Sequence, residues 1–254
     1  MAEHNAGRFY LDVILKSAGV AALNRLHSRT FTENILFTNA KELSQLIDMT
    51  ENADFMMQAF YIQNEEASKQ IHRESSRIVH NYLCSISTFI DHSRNFMNEH
   101  YRGTAFYNDY SGEIQKRFHS SELARFVRDL RNYMTHRELP DSQMTLKMVA
   151  TGAPATDEGT PCDITAGIQY KTTRFLEWDG WSAPAARFLK TCDEFLTLRS
   201  IFEPHITLMQ DFSTWFEDRF RQHHHDDFKE LQALEEQHEA LEAAEGYSSP
   251  RQNR

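Results

Sequence analysis

At 254 residues with 40% apolar side chains, the chain can bury a substantial core, either as one large domain or as two small ones, and nowhere does it offer the roughly 20 consecutive apolar residues of a membrane span. A formal net charge of -10 argues against coating nucleic acid through a general positive field, although it leaves room for a local basic patch. Met1-Ala2-Glu3-His4-Asn5 has no basic start followed by an apolar run, and Cys84, Cys162 and Cys192 suit neither a disulfide framework nor a zinc site. These features predict a cytoplasmic protein with reduced thiols and no membrane partner.

In the first thirty residues Leu11, Ile14, Leu15, Ala18, Ala22 and Leu26 recur at helical spacing and predict a short helix. From Ala53 to Met97 the pattern strengthens: Ile71, Ile78, Val79, Tyr82, Leu83, Ile86, Phe89 and Ile90 keep a 3.6-residue period, predicting one long helix or two nearly continuous ones. Turn formers from Tyr101 to Gly112 predict a break. A helix from Gly112 to Arg137 follows, with Leu123, Phe126, Val127, Leu130, Tyr133 and Met134 on one stripe and Pro140 beyond its end. Alternation at Met144, Leu146, Met148 and Ala150, and again at Ile164, Ala166, Ile168 and Tyr170, predicts two strands paired as a hairpin over about 143–173, with a loop from Thr151 to Pro161. Ser182 with Pro184 opens a further helix. The apolar residues from Leu189 to Phe220 predict two helices, or one interrupted before Pro204. Asp226 to Ala244 reads as a charged helix with little to bury, and 246–254 as a disordered tail. The expected architecture is mainly α: a single helical bundle over 1–245 with an inserted β-hairpin.

The Gly112–Arg137 helix carries the chemistry. On a helical wheel Arg125, Arg128, Asn132 and His136 fall on the face opposite the apolar stripe, and Arg131 falls on its shoulder. Guanidinium groups match phosphate oxygens bidentately, and histidine is the side chain whose unperturbed pKa lies near neutrality. Arg131 and His136 also favour a helix C-terminus through the macrodipole, a purely structural role for the same residues.

Arg131-Asn132-x-x-x-His136, late in a helix of a small bundle, resembles the signature of the HEPN superfamily: arginine, four to six residues of which the first is polar, then histidine. The part of the chain it covers is about 35–137 with some of the later helices. The resemblance implies a metal-independent endoribonuclease, often a toxin or a defence or stress effector, acting as a homodimer whose two signatures meet at the interface. It implies His136 as general base on a ribose 2'-hydroxyl, Arg131 neutralising charge on the phosphoryl oxygens, and Asn132 orienting the two. Arg125 and Arg128 would hold flanking RNA phosphates. Several arginine–histidine pairs meet the bare spacing, but an amide after the arginine leaves one competitor, Arg94-Asn95 with His100. The partners so implied are RNA, a second copy and an antitoxin or regulatory protein, with no cofactor; the alternative is a catalytically inactive module of the same shape that binds a partner protein.

Two other clusters stand out. His223-His224-His225 is rich in imidazole, yet adjacent helical positions point in three directions, so no metal site is expected. Asn81, Cys84, Thr88, Asp91, His92 and Asn95 form a polar band, read as a hydrogen-bonded stripe or as a support for the motif through Asp91 or His92.

Overall fold

The periodic residues of the long central segment do bury one stripe: Ile71, Ile78, Val79, Tyr82, Leu83, Ile86 and Phe89 all lie in the core. The structure is a computed structural model that describes residues 5–60, 65–151 and 162–246. Its elements are α1 (Asn5–Phe9), a π-helical turn (Tyr10–Ile14), α2 (Ala18–Glu51), α3 (Ala53–Phe60), α4 (Glu65–His100), α5 (Ala105–Ile114), a second π-helical turn (Gln115–His119) and α6 (Glu122–His136). There follow β1 (Ser142–Ala150), β2 (Cys162–Lys171), α7 (Thr172–Leu176), α8 (Ala183–Thr191), β3 (Phe195–Thr197), α9 (Leu198–His223) and α10 (His225–Ala244). The fold is mainly α with a hairpin insert, as the periodicities predict. Among the described residues no helix is long and apolar enough to cross a membrane.

The chain groups into two compact units, Met1–Phe31 with Thr214–Arg254, and Thr32–Ser213. The expected domain, 1–245, spans both. In the first unit the backbone N–H groups of Asn5 and Ala6, unpaired at the start of α1, donate to Glu245 Oε1 at 2.7 and 3.1 Å. The Arg29 guanidinium lies over the Phe216 ring, 3.9 Å from its centroid. His224 is buried with its Nδ1 2.7 Å from Asp227 Oδ2, and in the charged α10 Leu231 is buried while Phe228, Leu234 and Leu241 are half-buried.

In the second unit α4 and α9 meet through edge-to-face rings, Tyr82 on Phe202 and Phe89 on Phe212. The break after α4 is shorter than predicted. Gly103 supplies the left-handed turn at φ 85°, Thr104 accepts the Tyr107 N–H, and Asn108 to Gly112 are helical because Phe106 and Tyr110 are buried. Burial of the two rings outweighs the turn propensity of the residues around them. The next helix starts later than predicted: Ser121 caps it by accepting the Ala124 N–H, so α6 opens at Glu122. Pro204 does not interrupt α9. It forgoes one backbone bond near the start of a helix whose Ile201, Phe202, Ile206 and Met209 are buried.

The hairpin pairs Ser142 with Tyr170 through to Ala150 with Cys162, antiparallel, and β3 adds a third strand with Tyr170 opposite Leu196. In the hairpin only the base of β2 is buried, from Gly167 to Tyr170. From Lys147 to Ala150 both faces are exposed, so the alternation in β1 does not mark a buried side. The interstrand loop from 152 to 161, and the tail from 247, lie outside the described residues.

Candidate active site

The apolar stripe of α6 is held by aromatic rings. Phe126 meets Phe175, Trp181 and Phe188 at centroid distances of 5.8, 5.3 and 5.0 Å, and Tyr133 stacks on Trp181 at 5.7 Å. Trp178 completes the cluster at 5.4 Å from Tyr133. The turn between the tryptophans folds so tightly that a Cβ on Gly180 would collide with the Trp178 ring. The Trp181 indole N–H donates to the Phe175 carbonyl at 2.7 Å. The result is a rigid seat for the last turns of α6.

One buried residue of α6 is polar, and the wheel did not single it out. Asp129, 3% exposed, accepts from Arg128 Nε and Nη2 through Oδ1 at 3.1 and 2.9 Å. Its Oδ2 accepts the Ser182 N–H at 2.9 Å. An otherwise orphaned donor at the start of α8 is thereby satisfied by a carboxylate. The sequence signal was an acid inside an amphipathic helix, which by itself cannot be told from a solvated one.

Arg131, Asn132 and His136 occupy the last turns. Arg131 Nη1 donates to Asn132 Oδ1 at 3.4 Å, and Thr135 returns its hydroxyl to the Arg131 carbonyl at 2.8 Å. Arg131 Nε is buried without a partner among the described residues. Around them the other polar groups are engaged. Glu138 accepts from Tyr133 at 2.8 Å and faces Arg137 at 3.5 Å. Burial first, and the bond to Glu138 second, push the Tyr133 hydroxyl up to about 12, and the same bond holds Glu138 below the usual carboxylate range. His136 is exposed and makes no side-chain hydrogen bond among the described residues.

The competing signature is arranged differently. Arg94 is paired with Asp91 at 3.1 Å, Asn95 is exposed, and His100 sits edge-on to Phe96 at 5.2 Å. His92 meets the Thr32 hydroxyl at 2.9 Å, so neither Asp91 nor His92 bonds to Arg131, Asn132 or His136. Arg94 does come together with two residues of α6. With Arg125 and Arg128 it lines a cavity of about 290 Å³. Arg125 is therefore half-buried rather than on an open face, because α5, the π-helical turn after it and α9 cover that flank. Arg131, Asn132 and His136 are not among the lining residues.

No protein-family model matches the chain, and no curated protein or solved structure is significantly similar to it.

His205, on α9, also lines the cavity and is 2% exposed. Its Nδ1 lies 2.9 Å from the Tyr82 hydroxyl, which burial keeps protonated, and burial lowers the imidazole from 6.5 to about 4. An unfolded chain protonates this ring as pH falls through about 6.5, whereas the folded chain resists until about 4. Its contribution to stability is complete above about 6.5 and drains away toward about 4. Urea unfolding at about pH 7 and about pH 5 should show the unmodified protein losing about 2 kcal/mol more than a His205→Gln variant. Equal losses would refute this account of the ring.

His224 is committed to Asp227, and among the described residues no three histidine, cysteine or acidic side chains gather as metal ligands. Cys84, Cys162 and Cys192 are unpaired thiols, with burial pushing that of Cys192 up.

Proposed function

We propose that this protein is a HEPN-like, metal-independent endoribonuclease, acting as a toxin or a defence or stress effector. What supports the reading most is that Arg131 donates to Asn132 while His136, on the following turn, makes no side-chain hydrogen bond among the described residues, although Tyr133, Arg137 and Glu138 beside it are engaged with one another. An arginine bonded to an amide, with an accessible imidazole on the following turn of the same helix, is the equipment for transphosphorylation of RNA. His136 takes the proton of the ribose 2'-hydroxyl, and that oxygen attacks the adjacent phosphorus. The 5'-oxygen departs and takes a proton from water, leaving a 2',3'-cyclic phosphate. Arg131 stabilises the charge that builds on the phosphoryl oxygens. Arg128, with its side chain 47% exposed and three residues before Arg131 on the same helix, is a further cation for a flanking phosphate.

The site is composite in this reading, with α6 of two copies brought together about a two-fold axis. Light scattering at micromolar concentration should give a dimer, and the purified dimer should cut single-stranded RNA in the presence of a chelator and leave cyclic phosphate ends. A monomer that cuts no RNA would move the chain to the inactive module that binds a partner protein. Where an antitoxin or regulatory protein exists, it should suppress this cleavage.

A further inference from the structure

The cavity between α4, α5, the second π-helical turn, α6 and α9 is chemically lopsided. Ile86, Ile90, Ile114, Phe118 and Met209 make its walls apolar, while Arg94, Arg125 and Arg128 all reach it. Not one lining residue is an aspartate or glutamate, in a protein whose net charge is -10. The two acids that neutralise part of this charge stand outside the cavity: Asp91 takes one nitrogen of Arg94, and Asp129 takes two of Arg128. Arg125 has no such partner. Among the described residues its guanidinium makes no hydrogen bond, and its Nε is buried with no acceptor. A half-buried cation left unsatisfied beside apolar walls is costly unless an anion supplies the missing oxygens. His205 adds no charge, because its buried ring is neutral.

We propose that this cavity binds a small amphipathic carboxylate, its acyl chain against the isoleucines, Phe118 and Met209 and its head on Arg125. The volume of about 290 Å³ lies at the small end of ligand pockets, so a medium-length chain fits and a large cofactor does not. Besides the three arginines, the polar lining side chains are Tyr110, Ser111, Gln115, His119 and His205, set among the apolar walls. Binding here needs neither Arg131 nor His136, so this inference stands or falls apart from the ribonuclease reading.

The test is isothermal titration of the full chain with sodium decanoate below its micelle concentration, in the absence of RNA. Saturable binding of one decanoate per chain is expected. Decanol, which lacks the charge, and inorganic phosphate, which lacks the chain, should each bind at least about tenfold more weakly. Arg125→Gln should weaken decanoate by about tenfold or more, and it strands no partner among the described residues, where Arg125 has none. Ile114→Glu, at a half-buried position, sets a carboxylate in the wall and should abolish binding while circular dichroism stays native. Decanol binding as tightly as decanoate would reduce the site to an apolar void. Unchanged binding by a folded Arg125→Gln variant, or no saturable decanoate binding at all, would overturn the proposal.

Discussion

His136→Ala and Arg131→Ala should each cleave RNA at least about 100-fold more slowly than the unmodified protein, the loss expected when a general base or a charge-stabilising donor is removed. Both variants should stay folded. His136 is exposed, and surface changes of this kind cost within about 0.5 kcal/mol. Single-turnover cleavage of a labelled RNA, with unfolding curves in parallel, separates lost chemistry from lost structure. Arg94→Ala and His100→Ala are the controls, because they belong to the competing signature. If those two variants alone were inactive, the proposed site would be on the wrong helix; full activity in His136→Ala would end the mechanism.

The largest effect on stability should come from Phe126→Ala. Phe126 is fully buried and touches Phe175, Trp181 and Phe188, so truncation removes a ring from the centre of the seat that holds α6. A buried phenylalanine reduced to alanine typically costs about 3–5 kcal/mol, from lost transfer energy and the cavity left behind. Denaturant unfolding should show a correspondingly lower midpoint with an unchanged slope. A loss below about 1 kcal/mol would mean that the neighbouring rings collapse into the space, and that α6 is seated by something other than this cluster.

Where one face of an element is buried along its whole length, the sequence made it legible. Residues 71–90 are such a case. The hairpin was legible from alternation alone, since beyond its base both faces of β1 are exposed, and its pairing runs from Ser142–Tyr170 to Ala150–Cys162. Element boundaries fared worse because they rest on single groups. The start of α6 depends on the Ser121 hydroxyl, and the helicity of Asn108 to Gly112 depends on two buried rings that no local propensity announces. The strand Phe195–Thr197 is three residues long, too short to display a period, and exists because Tyr170 offers an edge to pair with. Arg131, Asn132 and His136 were visible as a spacing on one helix, and the structure adds the Arg131–Asn132 contact. The cavity was not legible at all. Its lining comes from helices far apart in sequence, and the lack of a partner for Arg125 among the described residues is a property of three-dimensional neighbours.

The aromatic seat of α6 also gives the molecule an optical property. Of three tryptophans, Trp178 and Trp181 stand 5.4 and 5.7 Å from Tyr133, the residue that follows Asn132, while Trp215 belongs to α9. Light absorbed by Tyr133 passes to those two indoles, and their emission depends on how closely the last turns of α6 stay docked. Replacing Trp215 by phenylalanine turns the chain into its own fluorometer: the remaining indoles, Trp178 and Trp181, pack against the helix that holds Arg131 and His136, and any fraying or clamping of that helix should change their colour.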